Sequence, residues 1–469
     1  MLFNRPLDFV SGFIDDLDKA LRKATPEGLG LSKCQRCWLG VCVMGVIVTN
    51  SLCWRRFARA YVGRYAASAL CWMFLHAAIA WDNLLAASVE VVLQSHGITE
   101  GTLLLDDTDK RRSKRTKRIA YTSKLKDKST GGYVNGQCLV FLVLATPTVT
   151  LPVGFAFYQP DPARTKWAKK DKQLKKRGVV KSARPPEPPH NPAYPTKPEL
   201  ALRLLMEFKQ AHQDVKVKAV LADALYGTSA FLDEAAVVFD VQVISQLHSD
   251  QIVQSRSGQQ LSLAKYFARR SGVPGKLSIR GCEQKDVVVD SARLRVRCHG
   301  KKRFIIALKY DGEQDYRYLV ATNLTWRTED IVKAYTLRWL AEVFFQDWKA
   351  HEGWGTLTKQ RDEEGSSRSL ILSLLVDHCL LMHPDQLAQL EHNLPAFTVG
   401  SLVNRVKVQS LLMVIQDLIA SGDPQRQLEK MAAALNERFD LKPSGKHMVG
   451  RDLGRQEPTP SLKYRAVLV

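Results

Sequence analysis

The spacing of apolar positions changes several times along the chain, and each change predicts a different kind of element. Up to about residue 98 the spacing is helical: Phe9, Phe13, Leu17 and Leu21 share a face before Pro26, Gly28 and Gly30 interrupt. Two charge-free runs of 17 residues follow, 38–54 and 65–81, separated by Arg55, Arg56, Arg59 and Arg64. That length is the lower limit for a membrane span, and Thr49, Asn50, Ser51 and His76 dilute the runs. Buried helices of an N-terminal bundle are therefore expected, with no membrane. No groove-reading motif says whether the bundle binds DNA or is purely structural.

From Gly101 the pattern becomes strand-like. Thr102-Leu103-Leu104-Leu105 reads as a buried strand ending in Asp106-Asp107-Thr108-Asp109. Strands at 137–145 and 148–158, turned at Thr146-Pro147, complete a meander. The span 161–198 is Lys-rich and then Pro-rich, which predicts an extended surface loop able to touch DNA. A helix at 199–212, a strand at 216–222 ending in Asp223, a helix to about Ala236 and a strand at 241–246 bring the order to βββ-α-β-α-β. One further helix is owed, and it is delayed by short alternating strands at 286–290, 293–297, 303–308 and 317–322. It arrives at 330–351, where no Gly or Pro interrupts and Thr328 can serve as N-cap. C-terminal helices at 367–383, 399–420 and 424–438 are available for protein contacts. The expected organisation is a helical N-terminal DNA-binding region (1–98), an α/β core in two parts (99–247 and 326–363), a β-rich insertion (248–325), and a C-terminal helical region and tail (364–469).

Composition narrows the partner. With 45% hydrophobic residues the chain can bury cores in two or three domains. Lys and Arg outnumber Asp and Glu by 68 to 47, a net charge of +21, so a polyanion is the first partner to consider. Charge alone does not separate DNA from RNA or anionic lipid. Nine cysteines form no secretory framework and Met1 opens no signal-peptide pattern, so a reducing cytoplasm is expected. Cys34 and Cys37 have no second pair at finger spacing, which leaves zinc without support. Lys110-Arg111-Arg112 and the run containing Lys114 and Arg115 are too basic to pack and suit phosphates, or else form a solvated loop.

Candidate chemistry lies at strand ends, where open α/β sheets place it: Asp106, with Asp107 as its alternative, and Asp223. On helix 330–351, at about 100° per residue, Tyr335, Arg338, Glu342 and Lys349 fall within about 60°, bordered by Trp339 and Gln346. Such a stripe is either a solvated face with ion pairs or a metal-holding carboxylate flanked by phosphate-gripping cations. Three hard oxygen ligands suit Mg²⁺ or Mn²⁺, and two ions about 4 Å apart would stabilise both the entering and leaving oxygens of a phosphoryl displacement. Arg338 would grip phosphate as a fork and Lys349 as a point charge.

Tyr335-x2-Arg338-x3-Glu342-x6-Lys349 fits the Y-x2-R-x3-E-x6-K signature at every position. With Asp106-Asp107-Thr108 as an Asp-x-Thr motif and Asp223-Ala224-Leu225-Tyr226 as the second, residues from about 103 to 349 resemble bacterial insertion-sequence transposases of the DDE type. Leu225 departs from the small residue usual there. The resemblance implies a ribonuclease-H-like mixed sheet, two Mg²⁺ or Mn²⁺ ions on Asp106 (or Asp107), Asp223 and Glu342, and DNA contacts from Tyr335, Arg338 and Lys349. It further implies a flipped base stacked on Trp339 or on Tyr318, the latter otherwise an ordinary strand aromatic. The implied activity is strand cleavage at element ends and transfer of the 3′-OH into target DNA. The implied setting is a homodimeric synaptic complex on double-stranded DNA at the bacterial nucleoid. A catalytically idle DNA-binding derivative and a metal-dependent nuclease without joining activity stay open.

Overall fold

Strands that are apolar on both faces must be covered on both, and in the computed structural model they are. It describes the chain except residues 26–27, 64, 113–118, 128–129, 256, 280–282, 357–359, 393 and 440–469. Two compact units result, Met1–Val414 and Ile415–Val469. In the second, the helix Pro424–Arg438 buries none of its residues.

One sheet in the first unit contains the twelve strands found among the described residues. They are β1 Glu100–Arg112, β2 Thr122–Lys126, β3 Tyr133–Ala145, β4 Thr150–Tyr158, β5 Lys216–Ala222 and β6 Gln242–Leu247. After these come β7 Ile252–Gln254, β8 Gln260–Ser262, β9 Val273–Ile279, β10 Glu283–Val296, β11 Lys301–Tyr310 and β12 Arg317–Ala321. At its centre β4 pairs antiparallel with β3 and β3 with β1, while β1, β5 and β6 run parallel. This is ribonuclease-H-like topology. The parallel register sets Leu105 beside Ala222, so Asp106 and Asp223 follow as neighbours at the strand ends.

Beyond β6 the insertion continues the same sheet instead of forming a separate layer. β12 pairs antiparallel with β6, setting Tyr318 beside Leu247, and β11 and β10 follow. The reason is the open edge of β6, whose unpaired backbone groups need a partner.

Period-2 alternation divides the core. Leu104, Phe141 and Val143 join a cluster with the N-terminal helices and the helices Trp339–His351 and Asp362–Leu381. Leu103, Leu105, Val140 and Leu142 face the helices Lys197–Ala211 and Ser229–Phe239. Phe141 anchors the first layer, its ring 5.7, 5.4 and 5.1 Å from Phe344, Phe345 and Trp348. Both apolar N-terminal runs fold into this core as bent helix pairs, at 88° and 99°. Among the described residues no single helix is long and apolar enough to cross a membrane.

Three expected elements differ. The 161–198 loop contains a helix, Pro162–Lys176, because Asp161 accepts a hydrogen bond from the Ala163 amide (2.7 Å) and Pro162 occupies the first helical position. The basic residues Lys110–Arg112 are strand, not loop, since β1 runs on to Arg112 against β3. The signature helix is two helices, Thr328–Thr336 and Trp339–His351. Between them Leu337, Arg338, Leu340 and Ala341 donate to carbonyls three residues back, a local tightening.

His378 ties the N-terminal helices to the sheet. Its Nδ1 lies 2.7 Å from Ser88 Oγ and its Nε2 3.0 Å from the Pro152 carbonyl. Burial lowers its pKa to about 4, the Pro152 bond only partly opposing. The unfolded imidazole takes its proton near 6.5, so as pH falls from 6.5 to 4 the unfolded chain gains a proton the folded chain refuses. Up to roughly 3 kcal/mol of stability is lost across that window. His378→Asn is expected to melt lower at pH 7 but to lose less on acidification, as thermal denaturation at a series of pH values would register.

Candidate active site

Successive side chains of β1 point to opposite faces. Asp106 is buried toward the Trp339–His351 helix, and Asp107 is half-buried on the side of Lys197. The Asp107 amide donates to Asp106 Oδ1 at 2.8 Å. Asp223 ends β5 and caps the short turn Ala224–Tyr226: its carboxylate accepts from the Leu225 amide at 2.9 Å and its carbonyl from Ser245 Oγ at 2.5 Å. Gly227 lets that turn lie against β6, since a Cβ there would come within 2.2 Å of the Gln246 carbonyl. The three carboxylates each present an oxygen within 4.8 Å of the others.

The half-dry pocket raises the affinity of two of these acids, Asp106 and Asp223, for protons. Burial pushes the Asp106 pKa up to about 6 against the pull of Arg338. Asp223 is also raised, by burial first and by Asp107. Tyr226 lies fully buried beside them, its hydroxyl without a hydrogen-bond partner among the described residues; burial and then Asp107, Asp223 and Asp106 push its phenol well above the usual range. Hard carboxylate oxygens plus an orphaned hydroxyl fit a hydrated Mg²⁺ or Mn²⁺.

Two cations brace the cluster. Arg338 reaches Asp106 at 2.6 Å with one nitrogen and Glu342 at 2.7 Å with another. Lys197 Nζ lies 2.6 Å from Asp107 Oδ2. Burial opposes the charge of Lys197, but Cys138 and Asp107 outweigh it and raise its pKa. Glu342, its side chain 40% exposed, stands outside the three-aspartate group and is joined to it through the Arg338 guanidinium.

The other expected residues divide between the site and the core. Lys349 donates to Thr108 Oγ1, two residues along β1 from Asp106. Trp339 is 40% exposed and lines a cleft of about 380 Å³ with Tyr310, Arg317 and Arg338. Tyr335 is buried, its hydroxyl donating to the Ala222 carbonyl at 3.4 Å, so it positions the end of β5 and shows only a small part of itself at the floor of the same cleft. Tyr318 is 5% exposed and packs against the Phe267 ring at 5.7 Å, which corrects its expected role as a stacking platform. Lys110 and Arg112 are corrected likewise. Lys110 donates to the Thr356 carbonyl at 2.8 Å, Arg112 to Gln137 Oε1 at 2.9 Å, and both lie 5.4 Å from the Trp354 ring. Burial, with Arg112 and Lys349 beside it, lowers Lys110 to about 7, and burial lowers Arg112 to about 10. Arg111 remains exposed; Lys114 and Arg115 lie outside the described residues.

Sequence reasoning missed Lys197 and the part played by Tyr226. Lys197 opens a helix 90 residues from its partner and carries no local signal. Tyr226 was visible as the aromatic of its motif, but its orphaned hydroxyl was not.

A ribonuclease-H-like sheet with aspartates meeting at the ends of its first and fourth core strands is the arrangement of a metal-dependent nuclease. Residues 66–301, just over half of the chain, match the family described as DDE superfamily endonuclease, and the chain belongs to that family. The matched segment holds Asp106, Asp107 and Asp223 and ends before Glu342. Comparison with curated proteins gives no match. Among solved structures the chain is similar to the cryo-EM structure of a piggyBac transposase synaptic complex with hairpin DNA. The TM-score is 0.41 at 8% identity, over 94% of this chain and 84% of that one.

Proposed function

We propose that the protein is an insertion-sequence DNA transposase of the Y-x2-R-x3-E-x6-K branch, which cleaves strands at the element's ends and transfers the 3′-OH into target DNA. The observation that carries this reading is the meeting of Asp106, Asp107 and Asp223 within 4.8 Å, with Arg338 linking Asp106 to Glu342. Two Mg²⁺ or Mn²⁺ ions, held by Asp106, Asp223 and Glu342 with Asp107 as the alternative first ligand, would supply charge stabilisation to the entering and leaving oxygens.

The chain's own residues do the positioning. Arg338 exchanges its carboxylates for the oxygens of a bound phosphate, a planar fork suited to both. Lys349, held at Thr108, places a second positive charge beside it. Trp339 offers an exposed ring at the cleft for an unpaired base. Tyr335 keeps the carbonyl before Asp223 in place. Double-stranded DNA, both element ends and target, is the substrate. Two ends brought together require a homodimer, working at the bacterial nucleoid.

The test is Mg²⁺-dependent nicking and joining of a labelled duplex bearing the element's ends, wild type against Glu342→Ala. Wild type is expected to nick and join, and the variant to bind DNA and do neither. Nicking without joining would make the protein a nuclease only. Equal cleavage by both would place the chemistry elsewhere, and binding without cleavage by either would leave a catalytically idle DNA-binding derivative.

A further inference from the structure

The helix Pro162–Lys176 carries more positive charge than the candidate site uses, and its two sides differ. Arg164, Trp167, Asp171 and Leu174, spaced three or four apart, are the half-buried positions. They hold the Pro-rich return against the helix: Trp167 Nε1 donates to the Pro185 carbonyl at 2.9 Å, Arg184 meets Asp171 at 2.8 Å, and Arg164 pairs with Glu187. The Val179 amide closes the turn on the Leu174 carbonyl at 3.1 Å. The span is therefore a stapled arm, not a loose loop.

On the opposite side Lys166, Lys169, Lys170, Lys172 and Lys176 are all exposed. At about 100° per residue they occupy a face of about 160° that contains no acidic residue. The helix buries none of its residues, so core packing does not account for this face. Five ammonium groups on one surface repel one another unless a polyanion lies along them. An anionic membrane would also attract them, but interfacial helices insert an apolar face. Here the apolar Trp167 and Leu174 are turned toward the return.

The arm is rooted at the carboxylate cluster. It leaves the sheet after Tyr158 and ends at Lys197, whose Nζ lies 5.4 Å from the Tyr158 ring and 2.6 Å from Asp107. Fifteen helical residues extend about 22 Å, comparable to six base pairs of duplex. We propose that this arm is a clamp for duplex DNA, its lysine face following the phosphates that flank the strand held at the aspartates. The proposal rests on the DNA-cleaving reading above.

The test compares full-length wild type with a variant in which the five lysines become Gln, and with a second in which they become Arg. Each is titrated against one labelled duplex at several KCl concentrations. Every phosphate that a lysine no longer neutralises makes the slope of log K against log salt shallower by about 0.9. With all five lysines replaced, the Gln variant is expected to show a slope shallower by about 4.5 with its melting temperature unchanged, and the Arg variant to keep the wild-type slope. If wild type binds DNA and the Gln variant keeps its slope, the clamp is refuted while the DNA reading stands. If wild type fails to bind DNA but floats with phosphatidylserine vesicles through these lysines, clamp and reading both fall.

Discussion

Asp106→Asn is expected to lower metal-dependent strand cleavage at least about 10³-fold while leaving DNA binding intact, whereas Asp107→Asn costs only about tenfold. The two carboxylates are adjacent in sequence and both reach Asp223. They differ in what they face. Asp106 lies on the side of the sheet that carries Arg338 and, through it, Glu342, so it alone can be shared between Asp223 and the signature helix. Asp107 is neutralised by Lys197 at 2.6 Å. An amide at position 106 keeps the shape of the side chain and removes its charge. Single-turnover nicking at saturating DNA measures the chemistry apart from binding; the reverse order of losses would make Asp107 the first ligand.

Arg338→Ala should have the second largest effect, and it should depend on metal and pH. In the metal-free protein the guanidinium is the cation that Asp106 and Glu342 share. The folded pKa of Asp106, about 6, lies above its unfolded value near 3.8. The folded chain therefore holds this proton longer, and the metal-free protein loses stability as pH rises from about 4 to 6. Without Arg338 the pKa moves higher still, because the attraction opposing burial is gone. In chelator the variant should thus melt below wild type at pH 8, by an amount of order 1 to 3 kcal/mol, with the gap closing toward pH 6 as Asp106 protonates. Mn²⁺ should restore the variant more than wild type, since it no longer competes with a tethered cation. Equal Mn²⁺-induced shifts in melting temperature would mean that Arg338 and the metal do not share a seat.

Residues whose partners are close in sequence were legible. Asp223 could be placed because a seven-residue apolar strand runs directly into it, and the Arg338–Glu342 pairing because four residues on a helix share a face. Lys110 and Arg112 defeated the same reasoning. A run of cations reads as solvated, yet strand alternation and the Trp354 ring, more than 200 positions away, make two of them burial-compatible. Tyr318 failed for a related reason: period 2 says that a strand has two faces, and only the packed layers say which one is closed. The 161–198 arm was misjudged because its prolines outweighed the Asp161-Pro162 helix start.

The chain's own pattern determined the local facts: which segments are strands or helices, that carboxylates stand at two strand ends, and that a cationic stripe surrounds Glu342. Propensity, capping and periodicity act over a few residues, and they need no knowledge of the rest of the molecule. Tertiary structure alone decided that Asp106 and Asp107 diverge toward Arg338 and Lys197, that Glu342 meets the aspartates through a guanidinium, and that Tyr335 and Tyr318 are core. These are matters of register and layering. A charge 90 or 232 residues away becomes a neighbour only when the sheet sets its strands side by side and the helices close over it. The energy of each pair then depends on a burial that no short stretch of sequence contains.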